Sequence, residues 1–248
     1  MPEGDTIFRT AATLHRALAG SIVTGFETQL PALARIEVIG RTIEFARAAG
    51  KWVQIGFSGD LILLTHMLMS GSWHTYRPGE QWQKSRYHMR IVISTQSIVA
   101  VAFDVQVAEF HNAQTLSRRT RLGPDVLAAN FEEAEAVKSL ESNPAEEIGI
   151  ALLKQSIIAG IGNVFKSEIC FLAEINPFDP IGALSRIQIE SLVATAKRSM
   201  TRPRTDWVYH HAGDACRKCG TPILSRKQGE EARTTFWCPT CQPRIKLD

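Results

Sequence analysis

The chain has 248 residues, of which 44% are hydrophobic and 21% are charged, with a formal net charge of +3. This composition is typical of a globular protein, and it excludes a disordered or low-complexity chain. The sequence contains no long apolar run, and its first residues lack a continuous apolar core, so we predict neither a membrane span nor a secretory signal. We therefore expect a cytoplasmic protein without a membrane partner.

The chain opens with M-P-E-G-D-T, and apolar residues at helical spacing follow, with Asp5 as the predicted N-cap and Gly20 as the predicted stop. Removal of Met1 would leave Pro2 as a secondary amine. An α-amino group has a pKa of roughly 7.7–8.0, so a usable fraction is neutral and nucleophilic. Glu3 could transfer protons beside it. Pro2 would equally suit the start of a helix, and these six residues alone favour that interpretation.

Two pairs of apolar runs then predict β-hairpins, K-W-V-Q-I-G-F with L-I-L-L-T-H and R-I-V-I-S with I-V-A-V-A-F-D. We expect residues 21–110 to form two packed sheets. From Phe131 the pattern becomes helical. The predicted helices lie in F-E-E-A-E-A-V-K-S-L, A-E-E-I-G-I-A-L-L-K, N-V-F-K-S-E-I-C-F-L-A-E and residues 185–200.

Most of the cysteines form two close pairs near the C-terminus, Cys216 with Cys219 and Cys238 with Cys241. This spacing is typical of a four-thiolate zinc site, and a chain without a secretory signal favours metal binding over disulfides. Four protein ligands leave no open coordination position, so we predict one structural zinc ion. The hairpin between the pairs could bind phosphate or be an inert staple. Cys170 lies in an apolar stretch and is predicted to be in the core.

A second motif is I-I-A-G-I-G-N-V-F-K-S-E, residues 157–168, in which two glycines precede a helix predicted to begin near Asn163. Glycine allows the backbone to approach a ligand closely, and the N–H groups of a first helical turn favour an anion. The segment lacks the Lys-Ser/Thr ending of a nucleotide-binding loop, which argues against ATP. On its own, a Gly-rich turn between two helices is the preferred interpretation.

This segment, preceded by L-L-K-Q-S-I-I-A, closely resembles the helix–two-turns–helix motif of the formamidopyrimidine-DNA glycosylase and endonuclease VIII family. P-E-G at the N-terminus and C-R-K-C-G-T-P-I with A-R-T-T-F-W-C-P-T-C-Q resemble the family's other two signatures. L-G-P-D at 122–125 and T-H-M-L-M-S-G-S at 65–72 also look like family stretches. The resemblance implies an α+β multidomain fold: an N-terminal helix and catalytic β-sandwich over 1–128, a helix–two-turns–helix domain over 129–205 and a zinc-ribbon hairpin over 206–248.

The resemblance also implies a bifunctional DNA glycosylase and abasic-site lyase of base excision repair, acting as a monomer on damaged double-stranded DNA. Pro2 matches the family's nucleophile, which forms a Schiff base with the sugar, and Glu3 matches its proton-transferring acid. Lys51 matches a lysine used near the lesion, although an ordinary strand-end lysine is the alternative.

Further positions are implied to bind DNA. Asn163 and Arg233 match the residues that grip the phosphate backbone, and Lys154 and Gly162 belong to the same helical motif. Met69 matches the position whose side chain fills the gap left by the extruded base, and a buried core methionine is the alternative.

Two departures from the family pattern bear on specificity. Thr6 stands where the family often has an acidic residue. Asp104 is followed by V-Q-V-A-E-F-H instead of the Arg-Arg-Phe-Gly wedge of the oxidised-purine branch. We therefore favour an endonuclease VIII-like bacterial enzyme, associated with the nucleoid, that excises oxidised pyrimidines with β,δ-elimination. The alternatives are a non-catalytic binder of damaged or abasic DNA and a glycosylase for unusual lesions such as interstrand crosslinks.

Overall fold

A computed structural model describes residues 2–245 of the chain. Met1, whose removal would free the amine of Pro2, lies outside the described residues. The chain divides into two compact units, the first ending at Arg121 and the second beginning at Leu122. The three-domain division of the sequence stays a prediction. Within the described residues, no helix has the length and apolar character needed to cross a membrane.

The first unit combines a long N-terminal helix with two antiparallel sheets. Its elements are α1 (Gly4–Leu18), β1 (Gly25–Thr28), β2 (Ile43–Ala49), β3 (Trp52–Phe57), β4 (Leu61–His66), β5 (Ser72–Tyr76), β6 (Met89–Ser94), β7 (Val99–Phe103), β8 (Val107–His111) and α2 (Ala113–Arg119). In the described chain one sheet has the order β1-β6-β7-β5 and the other β2-β3-β4-β8. The two predicted hairpins are confirmed, since β3 pairs with β4 and β6 with β7.

The core of the first unit lies between these sheets and α1. The helix contributes the apolar residues at the spacing seen in the sequence, and they are almost completely buried: Ile7, Ala11, Leu14 and Leu18. The predicted N-cap was wrong by two positions, because α1 begins at Gly4 with Glu3 at the cap. Asp5 lies in the first turn instead, where the helix dipole favours an acid and its carboxylate accepts a hydrogen bond from Arg9 at 2.8 Å.

The second unit is mainly helical and ends in a small hairpin. Its elements are α3 (Glu133–Glu141), α4 (Ile148–Ala151), α5 (Asn163–Leu172), α6 (Arg186–Thr201), β9 (Leu224–Gln228) and β10 (Arg233–Trp237). The predicted last helix is confirmed, with Ser185 forming a capping box with Gln188 at the start of α6. β9 and β10 pair antiparallel, with Arg233 opposite Gln228.

The predicted helix over A-E-E-I-G-I-A-L-L-K is much shorter than expected, because α4 covers only Ile148–Ala151. The backbone amides at its start donate to a neighbouring loop instead of to a preceding helical turn. The N–H of Ile148 donates to the carbonyl of Asp179 at 2.9 Å, and that of Gly149 donates to Pro177 at 2.8 Å. Tertiary hydrogen bonds therefore replace the first helical turn.

Candidate functional site

The N-terminus of the first unit is held by the start of α1. Pro2 is partly exposed. Glu3 is 1% exposed and has an extended backbone, and its carbonyl accepts the first helical hydrogen bond, from the N–H of Ile7 at 3.0 Å. Because the apolar face of α1 is buried in the core, the terminus cannot fray in the usual way. The structure thus places Pro2 directly beside the buried residue Glu3 at the start of α1.

Lys51 lies in the tight turn between β2 and β3, in the same unit as Pro2 and Glu3. Ala49 pairs with Trp52, so the turn consists of Gly50 and Lys51. Gly50 has φ +58°, the left-handed conformation that a two-residue hairpin requires. α1 packs against both strands that this turn joins. Lys51 is therefore placed at the end of the sheet on which the N-terminal helix rests.

The T-H-M-L-M-S-G-S stretch forms a turn between β4 and β5 that exposes two apolar side chains. Met69 is 64% exposed and Leu68 40% exposed. A core role for Met69 is therefore wrong. The turn is closed by the N–H of Gly71, which donates to the carbonyl of Met67 at 2.8 Å; a Cβ on Gly71 would lie 2.5 Å from that oxygen.

Leu68 adopts φ +49°, which is unusual for a bulky residue. Its N–H donates to Nδ1 of His66 at 3.0 Å, and the His66 ring packs edge-on against Trp52. Burial, followed by the charges of Lys51 and Arg119, lowers the pKa of His66 below its ordinary value. A neutral imidazole fits the acceptor role of Nδ1, and the lowered pKa favours that form. Strained residues of this kind cluster at functional sites.

The connection from β7 to β8 is very short and crosses from one sheet to the other. It consists of Asp104, Val105 and Gln106. Val105 is fully buried, and Asp104 has φ +55°. The Asp104 carboxylate accepts hydrogen bonds from His88 at 2.7 Å and from Lys84 at 3.0 Å, and these bonds lower its pKa. Because these contacts fix a connection of only three residues, it is too short to form an extended wedge loop.

In the second unit, the Gly-Ile-Gly turn before α5 is held by the side chain of Gln155. Its Oε1 accepts from the N–H of Gly160 at 3.0 Å, and its Nε2 donates to the carbonyl of Ile161 at 3.0 Å. Gly160 has φ +94°, which favours glycine. Gly162 is the N-cap of α5 and is extended. The first turn of α5 is thereby presented at the end of a rigid loop.

Asn163 begins α5 and contacts the hairpin. Its Nδ2 donates to the carbonyl of Thr234 at 2.9 Å, while its buried Oδ1 has no hydrogen-bond partner among residues 2–245. An amide nitrogen carries two hydrogens, so Nδ2 can donate to a second acceptor as well. Arg233, at the start of β10, is exposed and its Nε donates to Glu231 at 3.0 Å.

A groove of about 610 Å³ brings Lys154 together with Arg233. Lys154 forms an ion pair with Glu146, which also lines the groove. Surface ion pairs of this kind contribute little to stability and can exchange partners. Two cations that the sequence predicts to bind DNA, Lys154 and Arg233, therefore line one groove beside the hairpin, and each is paired with an acidic residue of the same groove.

The four paired cysteines converge on one point. Their sulfurs all lie within 4.8 Å of one another. Cys219 and Cys238 are 3.4 Å apart and Cys216 and Cys241 are 3.9 Å apart. Four thiolates at the usual zinc–sulfur distance of about 2.3 Å stand about 3.8 Å apart in a tetrahedron. The cluster can therefore hold one metal ion.

Local hydrogen bonds shape this cluster. The N–H of Cys216 donates to the carbonyl of Thr221 at 2.9 Å, and that of Gly220 donates back to Cys216 at 2.8 Å. Hydrogen bonds from Thr221 lower the pKa of Cys219 to about 6, whereas burial raises the pKa values of Cys238 and Cys241 in the metal-free cluster. Ionised thiolates are the form that binds metal. Cys170 is fully buried elsewhere in the unit, as predicted, and burial raises its pKa to about 12.

Comparison with known proteins identifies the family. The profile of the formamidopyrimidine-DNA glycosylase N-terminal domain matches residues 1–118, and that of the family's H2TH (helix–two-turns–helix) domain matches residues 122–203. The chain is 35% identical to "Probable endonuclease 8 2" of Streptomyces coelicolor, over 98% of this chain and 94% of that protein. It belongs to the formamidopyrimidine-DNA glycosylase and endonuclease VIII family.

Other members of this family are similar over their whole length. The "DNA-(apurinic or apyrimidinic site) lyase Nei2" of Mycolicibacterium smegmatis is 33% identical over 98% of this chain and 99% of that protein. Among solved structures, Lactococcus lactis Fpg in complex with abasic-site DNA superposes with a TM-score of 0.84 at 20% identity, covering 98% of this chain and all of that one. The predicted α+β fold of the formamidopyrimidine-DNA glycosylase family is thereby confirmed.

The importance of two residues, Leu68 and Lys166, could not be predicted from the sequence. Leu68 was missed because only its backbone angle distinguishes it from an ordinary apolar residue. Lys166 was missed because the sequence gives no sign that this lysine is 0% exposed. Its motif, G-I-G-N-V-F-K-S-E, carried the only signal, since it marks the helix on which Lys166 lies.

Proposed function

We propose that this protein is a bifunctional DNA glycosylase and abasic-site lyase of base excision repair that excises oxidised bases, with pyrimidines favoured. The observation that carries the proposal is the Pro2–Glu3 pair at the buried start of α1, in a chain of this family. Curated relatives named endonuclease 8 and abasic-site lyase support the same activity. It acts on double-stranded DNA as a monomer, in the bacterial nucleoid.

The proposed chemistry begins once Met1 has been removed. The neutral amine of Pro2 attacks C1′ of the damaged nucleotide, the bond from C1′ to the base breaks, and the base leaves with a proton. Glu3 protonates the sugar ring oxygen as the ring opens, and an iminium forms between Pro2 and C1′. Loss of a C2′ proton then expels the 3′ phosphate, a second elimination with loss of a C4′ proton expels the 5′ phosphate, and addition of water to the iminium releases the sugar fragment as an aldehyde and frees Pro2. Lys51 is proposed to act beside the lesion and its phosphate.

The second unit is proposed to bind the DNA backbone. The N–H groups at the start of α5 form an anion site, to which Asn163, Gly162, Lys154 and Arg233 contribute. We propose that the four-cysteine cluster holds one zinc ion, which would fix the hairpin that carries Arg233. The tetrahedral fit of the four sulfurs supports zinc, and four protein ligands assign it a structural role.

Extrusion of the damaged base leaves a gap in the duplex, and apolar side chains inserted there compensate for lost stacking. Met69 is proposed to fill that gap, because it is exposed at the tip of a closed turn. The three-residue connection after β7 supports the oxidised-pyrimidine assignment, because it has no room for the purine-branch wedge.

Borohydride trapping on abasic-site DNA tests this function directly, since borohydride reduces an iminium to a stable covalent adduct. Wild-type protein should give an adduct on a denaturing gel, and Pro2→Gly, whose primary amine is not held in a ring, should give less of it. Glu3→Gln should retain DNA binding and lose base excision. A panel of single- and double-stranded oligonucleotides with oxidised pyrimidines, oxidised purines and interstrand crosslinks would rank the lesions.

Equal trapping by wild type and Pro2→Gly would overturn the assigned nucleophile. Binding of abasic-site DNA without strand cleavage at high enzyme excess would identify a non-catalytic binder instead. A form that retains Met1 provides a matched control, because it blocks the amine and leaves the DNA-binding surfaces intact; full lyase activity of that form would also contradict the proposal.

A further inference from the structure

A fully buried lysine lies close to the proposed phosphate site. Lys166 is the fourth residue of α5 and is 0% exposed. Lysine is almost never completely buried unless its ammonium group is paired and hydrogen-bonded, because removing the charge from water is costly. The proposed chemistry does not use this residue. Its contacts therefore indicate what keeps it in the core.

The ammonium group of Lys166 starts a chain of short hydrogen bonds. Nζ donates to Oγ1 of Thr235 at 2.6 Å, and that hydroxyl donates to Oε1 of Gln228 at 2.7 Å. Nε2 of Gln228 then donates to Oε2 of Glu147 at 2.8 Å and to the carbonyl of Pro177 at 2.8 Å. Ammonium groups only donate, so every hydrogen in the chain points from Lys166 towards Glu147, and each bond polarises the next.

This chain passes through the hairpin immediately behind Arg233. Gln228 pairs directly with Arg233 across the two strands, and Thr235 lies two residues further along β10. Both side chains are buried, Thr235 at 0% and Gln228 at 6% exposure. A Cβ on Gly149 would lie 2.6 Å from Oε1 of Gln228, so the glycine leaves the space that the side-chain amide of Gln228 occupies.

The same face of α5 contacts three successive hairpin residues. Besides the bond from Lys166 to Thr235, Asn163 donates to the carbonyl of Thr234, and the N–H of Phe236 donates to Oγ of Ser167 at 3.3 Å. The register of β10 along the first turns of α5 is therefore fixed residue by residue. Of these contacts, only that of Lys166 extends through both strands of the hairpin.

We propose that Lys166 is a positioning residue for phosphate binding: acting through Thr235 and Gln228, its ammonium group holds Arg233 at the distance from the start of α5 that one DNA phosphate requires. The proposal rests on the proposed function, in which these groups grip the DNA backbone.

The test combines two measurements. Fluorescence anisotropy gives the affinity for duplex DNA that contains a tetrahydrofuran abasic analogue. A single-turnover experiment at saturating enzyme gives the lyase rate on true abasic DNA. Lys166→Met removes the first hydrogen bond of the chain and Thr235→Val removes the first two, and each variant should weaken binding about 10-fold or more. The saturated rate should stay within about 2-fold of wild type, because Pro2 and Glu3 are untouched. Lys166→Arg, which keeps the donor, should recover part of the affinity.

The matched control is Lys197→Met. It removes the same charge and a hydrogen bond to the carbonyl of Val126, at 2.8 Å, in the same unit, and it should change affinity by less than about 3-fold. A double-mutant cycle gives the decisive readout: if Lys166 acts through Arg233, adding Lys166→Met to Arg233→Ala should cause little further loss.

Wild-type affinity in both Lys166→Met and Thr235→Val would overturn the proposal, as would additive losses in the cycle. Zinc content and near-ultraviolet circular dichroism of each variant show whether it folds. If Lys166→Met does not fold, Thr235→Val and its own cycle with Arg233→Ala decide the outcome. If wild type itself fails to bind the abasic duplex, the proposed function is wrong rather than the role of Lys166.

Discussion

At the scale of single residues, the turn between β4 and β5 combines backbone strain with exposed apolar surface. Leu68 has a positive φ, and it stands beside Met69 at the tip, where neither side chain contributes to the core. A non-glycine residue in this conformation costs on the order of 1–3 kcal/mol, and it persists only where its surroundings enforce it. Here the enforcing contacts are the hydrogen bond from the Leu68 N–H to His66 and the close approach of Gly71 to Met67.

Replacing Leu68 by glycine should therefore separate stability from function. Leu68→Gly relieves the strained φ, so its free energy of unfolding should equal or exceed that of wild type, although glycine adds some unfolded-state entropy. Excision from duplex DNA should fall about 10-fold, because the apolar tip is smaller. Urea denaturation and single-turnover excision are the two measurements.

Met69→Ala is the companion variant. It should change stability by less than about 0.5 kcal/mol, since Met69 is exposed, and should lower excision to a similar degree. A Leu68→Gly protein that is less stable and fully active would contradict this account of the turn.

At the scale of elements, α5 organises the second unit through both charged residues that it buries. Glu168 is 2% exposed, and its carboxylate accepts hydrogen bonds from the backbone N–H groups of Trp207, Val208 and Tyr209, at 2.8, 3.0 and 2.8 Å. Burial raises the pKa of Glu168, and these three bonds act in the opposite direction. The carboxylate thereby anchors the segment between α6 and the first cysteine pair.

Glu168→Gln tests this anchor. All three backbone N–H groups donate to the Glu168 carboxylate. In glutamine one carboxylate oxygen is replaced by an NH₂ group, which cannot accept, so at least one buried backbone N–H would lose its acceptor. We expect a loss of about 1–3 kcal/mol in the free energy of unfolding, measured by urea denaturation. Glu190→Gln on the exposed face of α6 is the control and should change stability by less than about 0.5 kcal/mol. Equal stabilities of the two variants would show that the anchor is unimportant.

At the scale of the whole molecule, each unit has its own core. The cysteine cluster belongs to a small core of the second unit, in which Cys216 and Cys238 pack with Phe171, Val208, Ile223 and Phe236. The sheets and α1 form a separate core in the first unit. Loss of the proposed zinc ion should therefore disorganise the hairpin and leave the first unit folded.

Chelation tests this division. A thiol reagent should release one zinc ion per chain, counted by a chromogenic assay. The metal-free protein should bind abasic duplex at least about 10-fold more weakly, because the hairpin carrying Arg233 loses its support. Cys170→Ala, which alters the buried cysteine outside the cluster, should retain one zinc ion per chain. Undiminished DNA affinity after zinc loss would contradict a structural role for the metal.

The sequence by itself determined the family, the two hairpins, the start of α6 and the convergence of the four cysteines, because each is encoded by local spacing or by motifs that local chemistry requires. It also placed Asn163 and Gly162 at the start of a helix. Tertiary structure alone decided the shortened α4, the positive φ of Leu68, and the burial of Lys166 and Glu168. These depend on hydrogen-bond partners up to about seventy residues away, as between Lys166 and Thr235, and no periodicity within the chain reveals such partners.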